Sequence, residues 1–305
     1  MKVKENSQEK RERKVDGKKE RIEILYEDEY ICVINKPSGM LSCRYPGSSA
    51  KTAEDALESI MRKKGELNSS HKPYVVHRLD RDTSGVMMFA LSEAAQKTIM
   101  DTWHTMVTER LYHAVAENPK DAKRILPDSG LIDDPMAFNA HNVGYVPKAM
   151  DGKAKLVPAR THFRVVERGK THTLFELSLD TGKKNQIRAH LSSRGYPLAG
   201  DENYRAMTDP FGRLALHART LEFIHPFTQK KMMFQVPESE EWLEYVKKGD
   251  FHPETPEWAK EFVGAKKNER RNSKKDNGNI ILGERRISAK DKAHSNFIEL
   301  GKKRR

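Results

Sequence analysis

Nine consecutive residues, HRLDRDTSG from His77 to Gly85, hold two arginines, two aspartates and a histidine, and the apolar run VMMFAL follows at once. A carboxylate on a loop anchored by a buried strand is well placed to serve as a nucleophile or base. A second charged segment, DTGKKNQIRAHLSSRGYPLAGDENY, carries Lys183, Lys184, Arg188, His190 and Arg194 around a glycine turn and a helix start, an arrangement suited to phosphate. Gln186 and Arg188, within one turn, can also face a carboxylate on a neighbouring loop. Each segment has an ordinary structural reading beside the chemical one. The first can be a salt-bridged surface turn, Arg78 with Asp82 or Asp80 with Arg81; the second can be a solvated helix face.

Other chemistries lack their signatures. The twelve histidines form no HExxH or HxH pattern, and Cys32 and Cys43 make neither a CxxC pair nor a zinc-finger spacing. No GxxxxGK[ST], no GxGxxG after a strand and no GxSxG elbow is present, so the common nucleotide and acyl-transfer motifs are missing. Any catalysis here is expected to use side chains alone.

These segments need a frame to position them. RIEILYE and YICVINK read as a first strand pair around a turn at 27–29. Thr52 caps a helix, TAEDALESIMRKKG, with Ala53, Leu57, Ile60 and Met61 on one face. PYVV, the charged loop, GVMMFALS and a helix from Ser92 follow, the helix turning Ile99, Trp103 and Met106 inward. RLYHAVAE reads as a strand. THFRVVER and THTLFELSL, joined at Gly169-Lys170, form the clearest hairpin. NQIRAHLSSRG is a short helix ending at Gly195, and LALHARTLEFI with KKMMFQV makes another hairpin. PESEEWLEYVKKG closes the body, and PETPEWAKEFV is a candidate for a last docked helix. Strands outnumber helices and short turns join many of them, which predicts an α+β fold with a mixed, mainly antiparallel sheet and flanking helices.

The 305 residues, 36% of them hydrophobic, suffice for a proper core. No apolar run approaches the ~20 residues of a membrane helix and no signal peptide is evident, so a cytosolic protein without a membrane partner is expected. The formal charge of +12 points to an anionic partner, but it resides at the ends. Residues 1–21 carry +4 and residues 265–305 carry +9, which leaves −1 for the stretch between. The expected organisation is a basic, disordered tail over 1–21, a folded body over 22–250 and a basic, largely disordered extension over 251–305.

Taken together, HRLDRDTSG and TGKKNQIRAHLSSRGYPLAGDENY closely resemble the RluA-type family of RNA pseudouridine synthases. NKPSGML at 35–41, ERLYHAV and LALHARTLEFIHP occur in the family's order as well, and the resemblance covers roughly residues 22–245. It implies an isomerase that detaches uracil from its ribose, rotates it and rejoins it through carbon, without a cofactor. It implies that Asp80 is the nucleophile, that Tyr112 stacks on the base and assists removal of the C5 proton, and that Arg188 keeps the Asp80 carboxylate ionised. Asp82 is then structural. A stacked uridine must be extruded to react, and Arg78 is expected to occupy the vacated space. Lys183 and Lys184 are expected to contact phosphates, and Gln186 to contact substrate. Whether Asp80 attacks the sugar C1′, the base C6, or helps form a glycal is left open by the sequence.

The chain departs from the family pattern in two places. TGKKNQIR stands where TGR[ST]HQIR is usual, and GDENYRA where GDxxYG is usual. About twenty residues before the body leave no room for the S4-type domain that relatives often carry, so the basic ends are expected to hold the RNA. The expected protein is a monomer acting on ribosomal or transfer RNA. Two alternatives remain: a carboxylate-driven glycosidase that releases the base, and a catalytically idle RNA-binding or ribosome-assembly factor on the same fold.

Overall fold

The computed structural model describes residues 21–148 and 154–248, together with Pro256, Trp258 and Ala259. The basic ends, and most of the expected helix PETPEWAKEFV, lie outside the described residues. The fold is α+β, with a mixed and mainly antiparallel sheet, as the strand-rich pattern predicts. Its strands are β1 (Glu23–Glu27), β2 (Ile31–Lys36), β3 (Tyr74–Val75), β4 (Ser84–Ala90), β5 (Val107–Glu117), β6 (Ser129–Ile132), β9 (Thr161–Arg168), β10 (His172–Leu179), β11 (Leu216–Ile224) and β12 (Lys231–Gln235). A small separate hairpin holds β7 (Ala137–Phe138) and β8 (Gly144–Tyr145). The helices are α1 (Ala53–Lys64), α2 (Glu93–Met106), α3 (Gln186–Ser193) and α4 (Glu240–Lys248).

Local signals account for most element ends. Thr52 Oγ1 accepts from the Asp55 amide while the Asp55 carboxylate accepts from the Thr52 amide, a complete capping box, and Gly65 ends α1 in the left-handed conformation. Ser92 caps α2 through the Ala95 amide. The stretch between RLYHAVAE and THFRVVER, for which the sequence pattern gives no element, supplies β6, which pairs with β9, and the β7–β8 hairpin. These strands are two to four residues long, too short to carry a readable alternation.

The main path of the sheet runs β1-β2-β4-β11-β5-β10-β9-β6. Among the described strand pairs of this sheet only β4–β11 is parallel, and it is confined to Ser84 and Gly85 opposite His217 and Ala218. Farther along β4, Phe89 and Ala90 pair instead with β3, so β4 parts from β11 after two residues. Ala218 pairs with Gly85 on one side and Tyr112 on the other, which brings the strand of the tyrosine against the end of the charged loop. The approach at the seam is close. A Cβ on Gly85, whose φ is +115°, would stand 2.1 Å from the Ala218 carbonyl oxygen.

Apolar layers cover both faces. On one, Leu57 and Met61 of α1 pack with Cys32, Ile34, Met87 and Phe89, and Leu191 of α3 packs with Phe163, Phe175, Leu177 and Tyr196. On the other, α2 covers Ile31, Val33 and Met88, while Trp242 and Val246 of α4 cover Val115 and Leu174. Tyr112 touches both layers of the first face, at the join between them. Trp258 reaches back through its indole N–H to the Ala206 carbonyl at 3.2 Å.

The seam and the buried histidines can both be tested by unfolding. Gly85→Ala has neither the φ nor the space it needs and should lower stability by about 3 kcal/mol, read as a large drop in the urea midpoint; an unchanged midpoint would mean that the seam tolerates a side chain. Burial also pushes His172 and His217 down from 6.5 to about 4. Both are neutral in the fold, whereas the unfolded chain protonates them. Stability should therefore be complete above about pH 6.5 and decline as the pH drops towards 4, each histidine costing up to ~1.4 kcal/mol for every whole step in pH. Urea midpoints that stay level from pH 7.5 to 4.5 would contradict it.

Candidate active site

The loop from His77 to Thr83 is held through its backbone by the NKPSGML segment and by Ser42, which follows it. Ser42 Oγ donates to the Leu79 carbonyl at 2.7 Å and accepts from the Leu79 amide at 3.0 Å. Lys36, fully buried, donates from Nζ to the Arg81 carbonyl at 3.0 Å and to the Met40 carbonyl at 2.6 Å. Ser38 Oγ donates to the Asp82 carbonyl at 2.7 Å. Carbonyls at positions 79, 81 and 82 are thus pinned, and the side chain of Asp80 is left to project. His77 anchors the other end, its Nε2 accepting from the Met88 amide at 2.9 Å. Burial, with help from Arg110, lowers His77 to about 3, so the ring is neutral at physiological pH.

Neither sequence-derived pairing for a surface turn forms. Arg81 Nε lies 3.1 Å from Asp82 Oδ1, and Arg78 is exposed with no hydrogen-bond or ion-pair partner among the described residues. Asp80 is drawn across the sheet instead. Its Oδ2 accepts from Asn185 Nδ2 at 2.7 Å and from an Arg188 terminal nitrogen at 3.3 Å, with 23% of its side chain exposed.

Arg188 sits on the first turn of α3 and is buried, with 8% of its side chain exposed. Asp201 holds it by two parallel hydrogen bonds, Nε to Oδ2 at 2.7 Å and NH2 to Oδ1 at 2.8 Å. Its guanidinium carbon lies 5.1 Å from the centre of the Tyr204 ring. Burial works against the charge, but the Asp201 hydrogen bonds and the two carboxylates outweigh it and the Arg188 pKa is raised. A fixed cation therefore stands against Asp80 at any accessible pH.

Asp80, Tyr112 and Arg188 line one cavity of about 590 Å³, which opens near the seam where β4 parts from β11. Arg78 and Lys183 line it as well; Lys184 does not. Burial raises Tyr112 above its ordinary value of 10.0, partly offset by Arg110, so its phenol keeps its proton near neutrality. Gln186 reaches the cavity wall but its amide is committed elsewhere. Nε2 donates to the Arg160 carbonyl and Thr161 Oγ1, and Oε1 accepts from Thr181 Oγ1 and the Lys183 amide. It shapes the turn that presents Lys183. His190 and Arg194 are likewise engaged, with Thr161 and Asp134.

Sequence reasoning missed four residues here. Asp201 lay unremarked within GDENY, although a buried arginine requires a partner. Asn185, Arg110 and Trp103 gave no signal; Trp103, expected inside, is half-buried and lines the cavity beside His77, 4.8 Å between ring centres. The departures from the family pattern fall at the same place. Asn185 occupies the position of the usual histidine, and Arg205, at φ 61°, occupies that of the usual glycine after the tyrosine.

Comparison with known proteins agrees with this architecture. Residues 30–193 match the family described as RNA pseudouridylate synthase. The chain belongs to that family. An uncharacterised RNA pseudouridine synthase of Bacillus subtilis, YlyB, is 35% identical over 226 residues, covering 74% of this chain and 72% of its own. The ribosomal large subunit pseudouridine synthase D of Neisseria meningitidis is 33% identical over 71% of this chain, and the match spans 58% of its own length. The solved structure of human RNA pseudouridylate synthase domain containing 4 shares the fold, with a TM-score of 0.56 at 22% identity over 72% of this chain and 90% of that one. The RluA-type resemblance is thereby confirmed, and the family is one of isomerases that act on RNA. No described helix is long and apolar enough to cross a membrane.

The two carboxylates around Arg188 should differ in what they do for the fold. Asp201→Asn removes the main partner of a buried cation and should cost about 3 kcal/mol in urea unfolding. Asp80→Asn leaves the Asp201 fork intact and should change stability by less than about 1 kcal/mol. Equal losses would contradict this division.

Proposed function

We propose that this protein isomerises uridine to pseudouridine in large-subunit ribosomal RNA, in the cytoplasm, with Asp80 as the nucleophile. The observation that carries the reading is the placement of a single projecting carboxylate against a permanently charged, buried arginine in a cavity walled by Tyr112. Family membership supplies the reaction class, and the relatives named for the large ribosomal subunit supply the RNA. The uridine enters the cavity extruded from its stack. Arg188 neutralises Asp80 without occupying both of its oxygens, and the Tyr112 ring lies against the base. The raised phenol pKa tells against a phenolate that takes the C5 proton at neutral pH, so Tyr112 acts through its face and its hydroxyl donor. Arg78, exposed and unpaired at the cavity, is the residue to fill the gap left in the helix. Lys183 contacts phosphate at the mouth, and Lys184 does so farther out.

Ribosomal RNA from a strain lacking the protein tests this, with pseudouridine mapped by carbodiimide stops in reverse transcription. Wild type and Asp82→Ala should restore a site, and Asp80→Ala should reduce conversion by more than ~10³-fold. Base loss in place of isomerisation would lighten the RNA and favour a glycosidase, and binding without conversion would favour an idle assembly factor. Reversal of Lys183 and Lys184 to glutamate should flatten the salt dependence of RNA affinity, lowering its slope by about one per lost contact; an unchanged slope would remove them from the interface.

A further inference from the structure

The shorter of the two hydrogen bonds to the Asp80 carboxylate comes not from the arginine but from Asn185, whose conformation is unusual for its place. It is the N-cap of α3, yet its side chain makes no capping hydrogen bond to the helix. An N-cap asparagine ordinarily satisfies an amide of the first turn, worth about 1 kcal/mol. Asn185 also sits in the left-handed region, φ 58° and ψ 20°, which asparagine enters more readily than most residues but less readily than glycine. Both features carry a local cost. What they allow is a 9%-exposed amide whose Nδ2 donates to Asp80 Oδ2 at 2.7 Å, while Oδ1 faces the Gly144 amide at a long 3.5 Å.

Gly144 is tied to the other side of the site as well. Its carbonyl accepts from the Tyr204 hydroxyl, and the Tyr204 ring lies under Arg188. Gly144 begins β8, and a Cβ there would meet the Lys184 carbonyl at 2.6 Å and Met136 Cε at 2.7 Å. One backbone unit of the β7–β8 hairpin therefore touches both groups that hold Asp80: Asn185 directly, and Arg188 through Tyr204.

We propose that Asn185 is a positioning residue for Asp80, and that Gly144 of the β7–β8 hairpin sets the position of Asn185. The amide fixes Oδ2, so that Oδ1 of Asp80 is presented to the substrate. Displacement of a reacting atom by about 1 Å costs on the order of 100-fold in rate, so a slack Asn185 lowers the chemical step and leaves RNA affinity alone. The inference rests on the pseudouridine synthase reading with Asp80 as nucleophile.

Three variants of the full chain test it, with single-turnover conversion, RNA affinity and thermal unfolding measured on each. The RNA is large-subunit ribosomal RNA from the strain lacking the protein. Asn185→Gly keeps the left-handed backbone and removes the donor. It should lower the single-turnover rate roughly tenfold or more, with affinity and melting temperature close to wild type. Asn185→His, which restores a donor and tolerates positive φ, should recover most of the rate. Gly144→Ala should lower the rate as Asn185→Gly does. Asn185→Gly at the wild-type rate, or losing affinity and stability in step with rate, would overturn the positioning role; Gly144→Ala at the wild-type rate would overturn the part assigned to the hairpin. Absence of conversion by wild type would overturn the functional reading and this inference with it, so the two failures are told apart by the wild-type lane.

Discussion

A guanidinium buried in a protein interior demands compensation, and the arrangement around Arg188 is how this chain supplies it. Asp201 takes two of its nitrogens in a planar fork, Tyr204 takes one face, and a third nitrogen is left at 3.3 Å from Asp80. The division matters. Were Asp80 the main partner, its oxygens would be consumed by the fork and unavailable to a substrate. Because Asp201 satisfies the cation first, Asp80 feels a nearby positive charge and still projects into the cavity. The stability of the ion cluster and the freedom of the proposed nucleophile are thus separate properties of two carboxylates that share one arginine.

The backbone serves the same division. The charged loop arrives between two pinned regions, the carbonyls held by Lys36, Ser38 and Ser42 and the seam at Gly85, and the side chain of Asp80 projects from that net towards Asn185 and Arg188. The parallel pairing lasts only for Ser84 and Gly85, after which β4 and β11 part near the cavity. Strand β11 then sets Tyr112 beside the loop, because Ala218 is flanked by Gly85 and Tyr112 at the same level. A single glycine that permits two backbones to touch therefore governs the spacing of Asp80 and Tyr112, which lie far apart in sequence.

Much of this was legible in the amino-acid order, and the exceptions have a common cause. The caps at Thr52 and Ser92 and the hairpins β9–β10 and β11–β12 are local patterns, and they formed where the sequence places them. The gathering of Asp80, Tyr112 and Arg188 was legible through resemblance to a family, since periodicity alone left each with an ordinary structural explanation. What escaped were contacts between distant segments. Asp201 and Asn185 owe their roles to partners 13 and 105 positions away, and neither carries a pattern in its own neighbourhood. Gln186 shows the converse: its place two residues before Arg188 suggested substrate contact, whereas its amide is spent on Thr181, Lys183 and the strand at Arg160 and Thr161. The two short strands of the β7–β8 hairpin fell below the length at which alternation can be read.

With Asp80 as nucleophile, the rearrangement exchanges the bond at N1 of uracil for one at C5 and releases the C5 hydrogen to water. The direct measurement is tritium release from large-subunit ribosomal RNA labelled at uridine C5 and isolated from cells lacking the protein. The predicted result is release by wild type, with the RNA keeping its bases, and no release by Asp80→Asn despite normal RNA affinity and an unchanged unfolding midpoint. Release by Asp80→Asn at the wild-type rate, or loss of free uracil in place of tritium, would contradict it.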